Sequence, residues 1–314
     1  MANPFTPLSG DERCPGLCSI VQAQLDVWPE HARQIERSFS NLQDADISHV
    51  EAIAKAVHCL AGNDLSVFCQ DYKWMCDRVM EEELYFCRYH KYRLATFAEA
   101  KREVYSNDAY MERYMRGLLI AHVLWANHRN PLIYYIETFL PALENGFRHL
   151  EIGPGHGLFL YFTSQLSACA KAVGWDISQA AVKMTRHAIN LLGASDKVDI
   201  QVQDFTSANL SANKYDSIAI SEVLEHLEDP AQALRKLQPL LVSGGRMFIK
   251  SPVNSPMPDH IYLWRTPEEF VSFVEQTNMK VLDTIFSPTN GYTLGRARKM
   301  GTSISCTVVA TLPN

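Results

Sequence analysis

Short apolar runs at 148–152, 172–176, 198–203, 215–221 and 246–250 are separated by stretches of helical periodicity, and this alternation constrains the fold more than any other feature. Strands buried on both faces read as unbroken apolar runs, and the helices between them supply the two covering layers. The pattern therefore predicts a doubly wound α/β fold, a Rossmann-like sheet of parallel strands. The helices carry their own start signals. Ser178 precedes "QAAVKMTRHAINLL", Asp229 and Pro230 open "AQALRKLQPLL", and Thr266, Pro267 and Glu269 form a capping-box pattern with proline at the first helical position. Two last runs, 279–286 and 303–312, are expected as antiparallel strands at the sheet edge.

Before residue 146 the apolar residues recur at three and four positions, with Glu, Lys and Arg between them, which predicts amphipathic helices. The expected division is an all-helical cap, lid or dimerisation domain over 1–145 and the α/β domain over 146–314. The clearest helix is "DAYMERYMRGLLIAHVLW" at 108–125, with Asp108 as its cap; the first dozen residues are expected to be a loose tail. A net charge of −6 with no basic stripe argues against a nucleic-acid partner. The start "MANPFTPLSGDER" lacks the pattern of a secretory leader, and no run approaches about eighteen uncharged apolar residues. A cytoplasmic protein without membrane contact, in which the eight scattered cysteines are reduced thiols, is expected.

The stretch "HLEIGPGHGLFL" places Gly153, Gly155 and Gly157 directly after the first strand, where a doubly wound fold brings a ligand close to bare backbone. The spacing is G-x-G-x-G, not the G-x-G-x-x-G of dinucleotide enzymes. Glu151, two residues before the first glycine, would repel a pyrophosphate and attract an ammonium or sulfonium group. Asp176 ends the next strand, where a ribose diol sits in this architecture. Asp204 follows the third strand and is succeeded by Phe205, a carboxylate beside an aromatic wall that suits adenine. Ribose, adenine and a cationic amino-acid tail together describe S-adenosylmethionine.

The segments "HLEIGPGHG", "VGWDIS", "VQDF" and "YDSIAISEVLEHLEDP" resemble the successive motifs of class I S-adenosylmethionine-dependent methyltransferases. The resemblance covers roughly residues 146–314. It implies that Glu151, Gly153, Gly155 and Gly157 lie near the methionine part of the donor. Asp176, with Ile177 after it, is placed on the ribose and Asp204 with Phe205 on adenine, while Ser221 and Glu222 line the site. The helical half matches no named motif.

Methyl transfer from a sulfonium needs alignment and exclusion of water more than activation of the donor. His226 lies beyond the fourth strand and is the candidate base for a hydroxyl or amine acceptor. Glu222, Glu225 and His226 at i, i+3 and i+4, with His260, also match the ExxEH pattern by which a few methyltransferases hold a divalent metal; a metal-free site is the reading adopted. Tyr110 and Tyr114 share a helix face and suit a sulfonium by cation–π attraction. Asn127, His122 and His128 interrupt an apolar stretch and, with His260 and Tyr262 of "SPVNSPMPDHIYLW", are the candidate contacts to a small-molecule acceptor. The expected function is methylation of a small molecule at O, N or C. Two alternatives stay open: an enzyme that cyclises or cleaves the donor itself and releases methylthioadenosine, and a nucleoside-binding regulatory protein without turnover.

Overall fold

The computed structural model describes residues 10–206 and 214–313. The expected loose tail lies largely outside them. The helical half contains α1 (Pro15–Val27), α2 (Ala32–Phe39), α3 (Ile47–Ala61), α4 (Leu65–Tyr89), the short α5 (Phe97–Ala100), α6 (Asp108–Leu124) and α7 (Ala126–Tyr134). Asn107, not Asp108, caps α6: its side chain accepts the Tyr110 N–H at 3.0 Å, which makes Asp108 the first helical residue. The chain is extended at Trp125, and Asn290 takes the Ala126 N–H at 2.7 Å. The junction between α6 and α7 is thereby fastened to the far end of the sequence.

The α/β half runs β1 (Phe147–Ile152), α8 (Leu158–Gln165), β2 (Cys169–Asp176), α9 (Gln179–Leu191), β3 (Val198–Val202), β4 (Tyr215–Ser221), α10 (Pro230–Leu237), β5 (Leu241–Val253), α11 (Pro267–Gln276), β6 (Lys280–Pro288), α12 (Leu294–Met300) and β7 (Ile304–Thr311). The helix starts read from the sequence carry the bonds that make them caps. Ser178 accepts from the Ala181 N–H, Asp229 from the Gln232 N–H and Thr266 from the Glu269 N–H. Only half of the last capping box forms, because the Glu269 carboxylate takes the Arg265 N–H at 2.7 Å.

The seven strands form one sheet in the order β3-β2-β1-β4-β5-β7-β6. The first five are parallel; β7 is antiparallel to both β5 and β6 and slots between them. Strand order reverses direction between β1 and β4, the position at which such sheets open a crevice for a ligand. One sheet face, with Phe248 and Val309, shares a continuous apolar cluster with the helical half that reaches back to Cys14. Tyr135 and Phe139, in the turn that follows α7, pack their rings 5.0 and 5.3 Å from that of Phe248. The other face, with Ile152, Ile220 and Ile249, buries the second cluster under α10 and α11. Among the described residues no helix is long and apolar enough to cross a membrane.

Candidate donor and acceptor site

The chain leaves β1 through three left-handed turns: Gly153, Gly155 and Gly157 have φ of 65°, 51° and 80°. Those angles cost a residue with a Cβ about 1–2 kcal/mol each. Space imposes the same choice at Gly153, where a Cβ would stand 2.7 Å from Val223 Cγ2. The loop is covered from the helical half. Met115 of α6 lies 3.3 Å from where a Gly155 Cβ would be, and the His122 ring stands 4.4 Å from that of His156.

Glu151 is 3% exposed, and its Oε2 has no hydrogen-bond partner among the described residues. Burial pushes its carboxyl well above the usual range, against a smaller opposite pull from the Leu160 backbone. A cation arriving at the glycine loop would satisfy this group and favour its charged form. Asp176 ends β2 with Oδ1 on the Ser178 N–H at 2.8 Å, and burial raises its carboxyl as well. Ile177, beside it, is exposed. Asp204 follows β3 and holds the Thr206 N–H at 2.8 Å, and Phe205 is buried. The strand order thus brings Asp204, Asp176, the glycine loop and Ser221 to one edge of four adjacent strands.

Glu222 follows Ser221 with φ 56°, a left-handed angle at a residue with a side chain. Its N–H donates to the Lys250 carbonyl at 3.0 Å, and its carboxylate receives the Lys250 ammonium at 2.5 Å. Burial would raise this carboxyl, and the ammonium overrides burial and holds it low.

Glu225 is buried, takes the Ser251 hydroxyl at 2.6 Å on Oε2 and has no hydrogen bond to Oε1 among the described residues, where His260 Nε2 stands 3.9 Å away. Burial, then the neighbouring Glu222, raises its carboxyl. His226 Nδ1 donates to the Asp259 carbonyl at 3.1 Å, which leaves Nε2 as the basic nitrogen. Tyr105 donates to the Asp259 carboxylate at 3.2 Å, and Tyr114 to its other oxygen at 3.3 Å. Burial opposes the charge on His226, but the Asp259 carboxylate and then Glu225 outweigh it, so its pKa lies above the ordinary imidazole value. His260 is pushed down to about 4 by burial.

Among the described residues one group offers three metal-binding atoms within 4.8 Å of one another: Glu225, His226 and His260. Glu222, the fourth member of that sequence pattern, is engaged by Lys250 instead. Of the residues read as acceptor contacts, Tyr114 is buried with Tyr110 stacked on it at 6.1 Å, and Asn127 is buried in the first turn of α7. Tyr262 turns its ring towards Trp264 and Phe273, 4.6 and 6.4 Å away, in the cluster on the other sheet face. Sequence reasoning missed Lys250, Asp259, Tyr105 and His156. A lysine inside the apolar run "RMFIKSPV" was the available signal for the first; Tyr105 and Asp259, more than 150 positions apart, offered none.

Residues 124–282 match a family model described as a methyltransferase domain, half of the chain. Ubiquinone biosynthesis O-methyltransferase of Xanthomonas axonopodis pv. citri (strain 306) is 32% identical over 130 residues, 40% of this chain and 52% of that protein. The protein of the same name from Aeromonas salmonicida (strain A449) is 32% identical over 115 residues, 35% of this chain and 45% of its own length. The alignments thus span about half the length of these curated relatives. In fold the chain is similar to the solved mitomycin 7-O-methyltransferase MmcR, with a TM-score of 0.51 and 13% identity over 80% of this chain and 72% of that one. The chain belongs to the class I S-adenosylmethionine-dependent methyltransferases.

Proposed function

We propose that the protein transfers a methyl group from S-adenosylmethionine to a hydroxyl of a small molecule. The observation that carries this is the glycine loop with φ positive at all three glycines, following buried Glu151, whose Oε2 has no hydrogen-bond partner among the described residues. Glu151 suits the ammonium of the donor's amino-acid arm, Asp176 the ribose hydroxyls, and Asp204 with Phe205 the adenine. The donor supplies an electrophilic methyl on sulfur. The S–CH3 bond breaks as the O–CH3 bond forms, and His226 Nε2 takes the hydroxyl proton. Asp259 supports that role by fixing the tautomer and favouring the imidazolium. The names of the O-methyltransferases reported above support oxygen as the accepting atom.

The site works without a metal in this reading, since Lys250 already provides the cation beside Glu222. The helical half acts as the lid, a role supported by Met115 and His122 lying over the loop. The scattered spacing of the eight cysteines supports a cytoplasmic location. Calorimetry with S-adenosylhomocysteine tests the donor site: Asp176→Ala should weaken binding at least about tenfold, one charge-assisted bond being worth about 1.5–3 kcal/mol. Unchanged affinity would remove the assignment of the ribose, and mass spectrometry of the products would identify the methylated atom.

A further inference from the structure

Lys250 is 1% exposed, and among the described residues its ammonium has one hydrogen-bond partner, the Glu222 carboxylate. An ammonium carries three N–H donors. Two therefore remain for something else, at a position where water is excluded.

The surroundings are built of the same kind of group. Alternation along β5 and β7 puts Lys250 on the face of Phe248, and Thr307 and Ser305 on the face of Val309. Phe248 and Val309 belong to the apolar core shared with the helices. Towards the carboxyl edge of β5 that core gives way to polar side chains, with Lys250 and Thr307 directly paired in register. Thr307 Oγ1, Ser305 Oγ and, on α7, His128 Nδ1 are all buried and have no partner among the described residues. Helix α7 packs on β7, and the His122 ring lies 5.3 Å from that of His128. Unsatisfied buried groups oppose folding, so a cluster of several of them needs a reason.

The position supplies the reason. Lys250 pairs in register with Ser221 of β4, and β4 pairs with β1, so Lys250 lies two strands from the glycine loop at the same edge of the sheet. A buried cation with two N–H groups to spare, beside two hydroxyls that can also donate, suits an anion. The group that complements them is one that only accepts, and a carboxylate accepts on two oxygens at once. Resting on the methyl-transfer reading, we propose that this polar cluster seats a carboxylate of the methyl acceptor, so that the acceptor is a small organic acid held by Lys250 with Thr307 and Ser305. The Glu222 side chain is 27% exposed at the lip of β4 and has water to turn to when the acid enters. A carboxylate could also come from the donor's own amino-acid arm, and the two sources are separable.

The test is calorimetry on protein saturated with S-adenosylhomocysteine, titrated with acetate, benzoate and indole-3-acetate and with the corresponding amides. At least one acid should bind about tenfold or more tighter than its amide, as expected for a charge-assisted pair. Lys250→Met should reduce that preference to under about twofold, with the affinities for S-adenosylhomocysteine and for methylthioadenosine unchanged. Thr307→Val, close to the native shape, should weaken the acid severalfold and serves should Lys250→Met fail to fold. No preference for any acid over its amide, with S-adenosylhomocysteine still bound by the wild type, would overturn this proposal alone. Loss of S-adenosylhomocysteine but not methylthioadenosine affinity in Lys250→Met would also overturn it, by moving Lys250 to the donor's carboxylate. Failure of the wild type to bind S-adenosylhomocysteine would overturn the methyl-transfer reading itself and this proposal with it.

Discussion

Replacing Gly153 by alanine makes two constraints act on one new atom, and a second substitution separates them. The backbone there has φ 65°, where a Cβ crowds the following carbonyl at a cost of about 1–2 kcal/mol. The added methyl also stands 2.7 Å from Val223 Cγ2. Val223 is β-branched and stiff about χ1, so it yields little, and overpacking of this kind costs about 1–3 kcal/mol. The two together predict that Gly153→Ala loses about 2–5 kcal/mol in urea unfolding. Val223→Ala should be less harmful, or even beneficial, in the Gly153→Ala background, with a coupling of about 1–3 kcal/mol across the four-protein cycle. The backbone part, about 1–2 kcal/mol, should persist in the double variant. A cycle additive to within about 0.5 kcal/mol would mean that Val223 does not wall the loop, and the donor cradle described above would be wrong.

Two further outcomes follow from the buried side chains. His149 lies between Ser217 Oγ at 2.7 Å and Tyr135 Oη at 3.2 Å, and burial pushes its pKa down from 6.5 to about 3. The unfolded chain therefore binds the extra proton below about pH 6.5 while the folded protein stays neutral, so stability falls as pH drops from there towards 3, by about 1 kcal/mol per pH unit for this one group. Comparing urea midpoints at pH 7 and pH 5, His149→Gln should show the shallower loss; an unchanged slope would refute the assignment. Activity should be the same with and without a chelator, because Lys250 already balances Glu222; loss of activity with rescue by magnesium or manganese would transfer Glu225, His226 and His260 to metal binding.

The strands were legible because each is a local apolar run, and the helix starts because a cap is decided within three residues of its own chain. The edge was less so. The runs at 279–286 and 303–312 read correctly as antiparallel, but nothing local says that β7 inserts between β5 and β6. At the start of α6 two acceptors stand side by side, and Asn107 rather than Asp108 turns its side chain to the N-terminus. In the site, the glycines and the strand-end carboxylates were visible as a spaced motif. The groups around His226 were not, since Tyr105 meets it from 121 positions away and Asp259 from 33. Pairing of Lys250 with Glu222 depends on strand register, which sequence spacing does not reveal.

Because one apolar cluster reaches from Cys14 to Val309, the helical half is not an accessory that another lineage could exchange at will. A change of volume at Phe139 must be answered at Phe248 across the contact, so a substitution in one part is felt in the packing of the other. On the proposal that an acid is seated at the polar end of β5 and β7, variation in what the enzyme accepts is easiest there, where a side chain can be altered without repacking the aromatic contacts beneath it. An engineer testing that proposal would leave the aromatic layer alone and edit Thr307 and Ser305.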